Sequence, residues 1–284
     1  MSLIPKVIAE IGCVHGGSLQ RAKDLAKLAK LCEADYVKTQ KRDPILSTKP
    51  ETRDQPHPNP HVAFGATYLE HRINLELTID QHAELKAYCE NIGITYSSSV
   101  WDTISAREII SLDPEFIKVP SACNSNQELM KILRDEYARD VHISLGMTSS
   151  DERPGIFEFW KKHAKRVVFY HCTSAYPCPF DKLYLKEIDQ ISFNIKPYGF
   201  RMGFSNHGYG IAADIAAMVL GAEWIERHFV DDRAYPHTDA AASLEPDGLR
   251  KLCRDLKNVH KALDYRPLEL DSIEVEQRNK LRVP

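Results

Sequence analysis

Apolar and polar positions repeat in two registers along this chain. Short runs rich in Val, Ile, Phe and Tyr change character at every second residue, while longer runs return their apolar positions every three or four residues. The short runs predict strands at KVIAEIG (6–12), DYVKTQ (35–40), ITYSSS (94–99), FIKVPS (116–121), DVHISLGM (140–147), RVVFYHC (166–172), RMGFSNH (201–207) and EWIERHF (223–229). The longer runs predict helices in LQRAKDLAKLAKLCEA, TIDQHAELKAYCENIG, SNQELMKILRDEY, GIAADIAAMVLGAEW and EPDGLRKLCRDLKNVHKAL. Acidic or hydroxyl residues at several starts (Asp80, Asp102, Ser125, Asp181) agree with this punctuation. Strand and helix alternate through the chain, the pattern of βα units around a parallel sheet. At 284 residues, the fold class this implies is α/β, a single (β/α)8 TIM barrel over residues 1–263.

Two stretches break the rhythm. Residues 41–77, containing RDQPHPNPHVAFGATY, exceed an ordinary βα loop and predict a lid or substrate loop. Residues 264–284 read as a polar tail beyond the last barrel helix.

Successive strand side chains point to opposite faces, so parity sorts each strand into two sets. Val7, Ala9 and Ile11 separate from Glu10, and Val37 separates from Lys38 and Gln40. Met202 and Phe204 separate from Ser205 and His207, and Ile225 and Phe229 from Glu226 and His228. In a barrel the apolar set packs on the helices and the other faces inward, towards the C-terminal mouth where such folds keep their active sites. The inward ring then holds Glu10, Lys38, Gln40, Ser98, Lys118, Ser144, His171, Ser205, His207, Glu226 and His228. Burying such groups unpartnered costs about 1–3 kcal/mol each, which argues for a site and against core filling.

Composition narrows the partners. Thirty-seven basic against forty acidic residues give a formal charge of −3 without a basic stripe, which argues against nucleic acid and leaves room for a local basic pocket. The N-terminus lacks the apolar core of a secretory signal, and no apolar run approaches the roughly 18 residues of a membrane span. A cytoplasmic protein with no membrane partner is expected. Seven cysteines without a CxxC pair read as free, mostly buried thiols. Small-molecule substrates are the expected partners, and a homo-oligomer stays open.

Single residues carry competing readings at this point. His207 and His228 close adjacent strands, so they are either hydrogen-bonded structural residues or two ligands of one divalent metal with open coordination positions. Lys38 and Lys118 are either solvated or a cationic pocket for a carboxylate or phosphate. Glu10 either neutralises a lysine or handles the proton of a metal-bound water.

The motifs AEIGCVHGG, ADYVKTQ, FIKVPS, ISLGM, YHCTSAYPCP, GFSNH and LGAEWIERHF, followed by DRAYPHTDAAAS, run in this order across nearly the whole barrel. Together they resemble the sialic acid synthase family. The resemblance implies a metal-dependent transferase that condenses phosphoenolpyruvate with an open-chain N-acylated sugar, N-acetylmannosamine-like, to give a sialic-acid-like nonulosonic acid and phosphate. It implies a catalytic set of Glu10, Lys38, Lys118, His207 and His228. His207 and His228 would hold the divalent metal, commonly manganese in this family, with magnesium or cobalt as alternatives. Lys38, Ser98, Lys118, Ser121, Ser144, Ser174 and Ser205 match phosphoenolpyruvate positions, and Gln40, Tyr176 and Asp239 match sugar positions. The alternatives are the same chemistry on another aldose, as in synthases of shorter ulosonic acids, or a non-catalytic barrel that partners a complete synthase.

This sequence departs from the family at Val14-His15-Gly16-Gly17 for NHxG, Ser144-Leu145-Gly146-Met147 for STGM, Ser205-Asn206-His207 for SDH, and Pro236-His237-Thr238-Asp239-Ala240 for pGpDh. RNKLRVP at its end resembles the linker to an antifreeze-like C-terminal domain, which in the family supplies a sugar-contacting arginine. The expectation is that this domain is absent, with Arg53, Arg72 and Arg233 as candidate substitutes for its arginine.

Overall fold

A computed structural model describes residues 4–283. Its strands are β1 Lys6–Gly12, β2 Tyr36–Lys41, β3 Thr95–Val100, β4 Phe116–Val119, β5 Asp140–Ser144, β6 Val167–His171, β7 Arg201–Asn206 and β8 Trp224–His228. Each pairs in parallel with the next, and β8 pairs back to β1, closing the barrel. The expected fold class therefore holds, with strand boundaries close to those read from the alternation. β4 stops early because Pro120 has no N–H for the ladder, and residues Ser121–Cys123 turn into a 3-10 helix instead.

The helices are α1 Leu19–Leu31, α2 Tyr68–Leu75, α3 Ile79–Ile92, α4 Thr103–Ser111, α5 Gln127–Asp135, α6 Arg153–Trp160, α7 Lys186–Ile195, α8 Ala212–Val219, α9 Pro246–Ala262 and α10 Ser272–Leu281. Asp102 caps α4, as expected, through the Ser105 amide. Thr78 and Asn126 cap α3 and α5, in place of the neighbouring Asp80 and Ser125, because their oxygens reach the third amide of each helix. Asp181 lies in a 3-10 turn. Residues 41–77 are not one loop: two 3-10 turns lead into α2, whose capping box joins Thr67 and Glu70. The polar tail contains α10, which buries no residue. Among the described residues no helix is long and apolar enough to cross a membrane. All seven cysteines are free and buried.

Two apolar layers position the site. The larger one lies between strands and helices, where Val7, Ala9, Ile11 and Val37 pack with Ala22, Leu25, Ala26 and Ala29 of α1. The smaller one fills the barrel floor with Ile8, Tyr36, Phe116, Val168, Tyr170 and Trp224. His142 stacks on Phe116 there, ring centroids 3.8 Å apart. Ile8, Tyr36, Phe116 and Trp224 precede Glu10, Lys38, Lys118 and Glu226 by one pleat. An apolar plug thus sits directly beneath a layer of charge, as strand periodicity requires.

Candidate active site

The charged layer is paired from within. Lys38 Nζ forms an ion pair with Glu10 Oε2, donates to Ser99 Oγ at 2.6 Å and stands 3.6 Å from Glu226 Oε2. Lys118 Nζ meets Glu226 Oε1 at 2.6 Å and lies 4.0 Å from the Tyr170 ring centroid. Ser205 donates to the same carboxylate oxygen at 3.1 Å, and Gln40 Nε2 donates to Glu10 Oε1 at 2.9 Å. Burial alone would raise the Glu226 carboxyl, but Lys118 and Lys38 hold it well below the ordinary carboxylate range. Burial also pulls at Lys38, where Glu10 and Glu226 more than offset it and raise the ammonium pKa. Lys118 has Glu226 alone as a counter-charge and Lys38 nearby, so burial leaves it lowered. It is the ammonium less satisfied by its surroundings.

At the ends of β7 and β8, His207 and His228 bring their ring centroids to 5.4 Å. His207 Nδ1 donates to the Thr173 carbonyl at 3.0 Å, which fixes the ring and leaves Nε2 free. Burial, reinforced by His228, pushes the His207 pKa down to about 3, so the imidazole is neutral. His228 Nδ1 is buried without a hydrogen-bond partner, 3.7 Å from Asp239 Oδ2. Burial works to raise the Asp239 carboxyl, yet His228 and His237 hold it below its ordinary value. The Tyr176 ring packs 4.2 Å from that of His207. Among the described residues no cluster of three or more His, Cys, Asp or Glu forms a ready metal cage. A cation at this pair would have an open, two-imidazole site.

Glu10, Lys38, Gln40, Lys118, Ser121, Ser144, Tyr176, Ser205, His207, His228 and Asp239 line one cavity of about 220 Å³ at the mouth. Ser98 is a correction. Register pairs it with Thr39, whose hydroxyl it contacts at 3.2 Å on the helix-facing side, and Ser99 takes the inward place. His171 also faces outward, bonded to the Leu183 carbonyl at 2.8 Å and stacked on Phe204. Ser174 borders a neighbouring hollow instead of the main cavity. It converges with Ser121 and Cys172 on Gly146, where an added Cβ would come within 2.5 to 2.6 Å of all three side chains. Among the family departures, Asn206 is buried and closes the turn that carries His207: its side chain donates to Asp214 at 2.9 Å and accepts from the Gly208 amide at 2.8 Å.

Of the candidate arginines, Arg72 lines the cavity. Arg53 binds the carbonyls of Thr48 and Ile45 in its own loop, and Arg233 pairs with Glu245. Sequence reading missed Arg42, Ser99 and Trp101, which also line the cavity. It placed Glu226 in the inward ring without a role. A signal existed for Arg42 and Trp101, since they continue the inward parity of β2 and β3 just past the strand ends.

A family model described as the NeuB family matches residues 25–266. N-acetylneuraminate-9-phosphate synthase of Homo sapiens is 34% identical over 275 residues, covering 97% of this chain and 76% of that protein. N,N'-diacetyllegionaminic acid synthase of Campylobacter jejuni is 32% identical over 262 residues, covering 90% and 77%. The crystal structure of N-acetylneuraminic acid (sialic acid) synthetase from Leptospira borgpetersenii, in complex with citrate, aligns with a TM-score of 0.80 at 26% identity, over 98% of this chain and 93% of that one. With the barrel, the paired lysines and the two histidines in place, these matches show that the chain belongs to the NeuB family.

Proposed function

We propose that this protein condenses phosphoenolpyruvate with the aldehyde of an open-chain N-acylated sugar, N-acetylmannosamine-like, to form a nonulosonic acid and phosphate. The observation that carries the reading is one cavity in which buried Lys38 and Lys118 face His207 and His228, in a chain of the NeuB family.

The residues divide the work. Lys118 and Lys38 offset the carboxylate and phosphate charge of phosphoenolpyruvate, and Ser99, Ser121, Ser144 and Ser205 supply hydroxyl donors in a recessed site. Without substrate both lysines are neutralised by Glu10 and Glu226, so the incoming anion has to share them. Lys118, the less satisfied ammonium, is the one that accepts a new partner at smaller cost.

His207 and His228 fit a divalent cation because they are two converging imidazoles, one of them neutral with Nδ1 already committed to a carbonyl. Manganese is the first choice, with magnesium or cobalt as alternatives; when bound, the ion supplies a Lewis acid for the aldehyde oxygen. The enol carbon of phosphoenolpyruvate bonds to the aldehyde carbon, whose oxygen takes up a proton. The enol double-bond electrons form the new carbon–carbon bond, and water adds at the carbon so left bearing phosphate. The added oxygen gives up its remaining proton and becomes the product's keto oxygen as the bond from that carbon to the phosphate oxygen breaks and phosphate leaves. Glu10, held by Gln40 and Lys38, is the carboxylate placed to order that water and take its proton. Gln40, Tyr176 and Asp239 face the sugar.

The test incubates the purified protein and manganese with phosphoenolpyruvate and N-acetylmannosamine or its 6-phosphate, then measures released phosphate and product mass. The expected product contains the sugar's nitrogen, and His207→Ala loses roughly a hundredfold or more in rate. No phosphate release with any N-acylated hexosamine overturns the reading. A nitrogen-free product formed only from a plain aldose transfers the same chemistry to a shorter ulosonic acid.

A further inference from the structure

A buried ion pair behind the cavity takes no part in the condensation steps. On β8 Arg227 lies between Glu226 and His228, so alternation turns it away from the cavity and towards α8. It is 1% exposed, and its partner Asp214, in the first turn of α8, is wholly buried. Arg227 Nη1 donates to Asp214 Oδ2 at 2.7 Å. Two opposite charges withdrawn from water bring little net stability by themselves. The same guanidinium also donates from Nη1 to the Gly210 carbonyl at 2.7 Å, and from Nη2 to the Gly208 and Ala242 carbonyls at 2.8 and 3.5 Å.

Those three carbonyls belong to the two segments that carry His207 and Asp239. Gly208 and Gly210 follow His207 in the turn from β7 to α8, and Ala242 ends the 3-10 turn Ala240–Ala242 directly after Asp239. That second turn is tied back to Asp239, whose carbonyl accepts from the Ala242 amide at 3.1 Å and from the Ser243 hydroxyl at 2.9 Å. In the first, Asn206 links the end of β7 to the ion pair through Asp214 Oδ1. Gly208 and Ala242 are buried, and buried loop carbonyls need donors. A planar guanidinium presents its donors in a fixed fork and can hold several acceptors at set angles, whereas a lysine ammonium is a point charge on a flexible stem.

We infer that Arg227 is a positioning residue for the reaction: from behind the barrel wall it fixes His207 and Asp239 relative to His228, so that the two imidazoles stay converged on one cation with the carboxylate beside them. This rests on the condensation proposed above and deepens it. Asp214 anchors the guanidinium, and Asn206 joins that anchor to the strand that ends at His207. Lys38 and Lys118 stand on β2 and β4, strands that do not pair with β8, so the phosphoenolpyruvate end of the cavity is independent of Arg227.

Arg227→Lys keeps the charge beside Asp214 and loses the fork. The double variant Arg227→Gln with Asp214→Asn removes both buried charges and so leaves neither unpaired. Leu129→Ala, a core change in α5 across the barrel from β8, supplies a destabilised reference. Manganese binding to each purified, folded protein is read from the loss of the free ion's electron spin resonance signal, beside steady-state kinetics and the melting temperature. Manganese affinity and kcat should each fall by roughly tenfold or more in both Arg227 variants. KM for phosphoenolpyruvate should stay within about twofold of wild type. Leu129→Ala should melt lower and keep manganese affinity and kcat. Wild-type manganese affinity and kcat in either folded Arg227 variant overturns the inference, as does a loss no larger than that in Leu129→Ala. A wild type that binds manganese but releases no phosphate overturns the condensation reading alone, since manganese affinity still decides the role of Arg227. A wild type that binds no manganese overturns the cation site and this inference together.

Discussion

Glu226 is the residue on which the buried charges depend. It meets Lys118 at 2.6 Å and Lys38 at 3.6 Å and accepts from Ser205, so its removal leaves two ammonium groups facing each other without a shared counter-charge. Breaking a buried pair by removing one partner costs roughly 3–5 kcal/mol. Glu226→Gln keeps the volume and one acceptor, so a loss near the lower end, about 3 kcal/mol, is expected in urea unfolding. Lys118→Met combined with Glu226→Gln should cost less than the two single changes added together. A Glu226→Gln protein within about 0.5 kcal/mol of wild type would show that the layer does not depend on this carboxylate. Lys38, Lys118, Ser205 and His228 were legible in the sequence because apolar neighbours mark the opposite face. Ser97-Ser98-Ser99 offers no such contrast, and a shift of one residue flips every side chain, so the sequence does not separate Ser98 from Ser99, which takes the inward place. Arg42 and Trp101 lie one residue past the ends of β2 and β3, so the alternation within the predicted strands does not reach them.

At the scale of elements, α2 decides the shape of the cavity mouth. Thr67 and Glu70 cap each other's amides at 3.2 Å, and the helix so fixed carries Arg72 and leads to Glu76. Its approach to the barrel is close: Gly17 has φ +77°, and a Cβ there would lie 2.2 Å from the Asn74 carbonyl oxygen. Gly17→Ala must therefore push α2 outward. The expected outcome is a rise of roughly tenfold in KM for the acceptor, with KM for phosphoenolpyruvate nearly unchanged, because only the upper half of the cavity moves. Thr67→Ala should weaken the helix start by about 1 kcal/mol and shift acceptor KM in the same direction by less. If both variants change the two KM values in parallel, α2 serves the barrel as a whole and not the mouth. The sequence did not reveal α2: Pro, His and Asn dominate residues 41–77, and an eight-residue helix is too short for a firm period. The ten residues of α10 carry no helical signal for the related reason that no stripe of them is buried.

For the whole molecule, barrel closure was legible because eight β-branched runs separated by helical lengths leave few other parallel topologies. What periodicity could not show is how many histidines the closed barrel buries uncharged, since burial depends on neighbours far apart in sequence. Burial takes His82 down to about 3 and His15 to about 4, and it holds His142 well below the ordinary imidazole range. In the unfolded chain these groups take up protons near pH 6.5. Their folded pKa values are depressed, so the unfolded state binds more protons below that point. Their stabilising contribution is complete above about pH 6.5 and is lost as pH falls towards 4, by up to roughly 1.4 kcal/mol per pH unit for each histidine. Glu76 acts oppositely: its folded carboxyl is raised to about 7, so it favours the fold as pH drops from there towards its ordinary value of 4.5. One carboxyl does not offset several histidines, and the net prediction is acid lability. Urea midpoints should fall steadily between about pH 6.5 and 4.5, and His82→Asn should reduce the slope by close to one proton even if the variant is less stable throughout. A stability that stays flat over this range would mean that these imidazoles take up protons in the folded barrel and that their burial carries no such penalty.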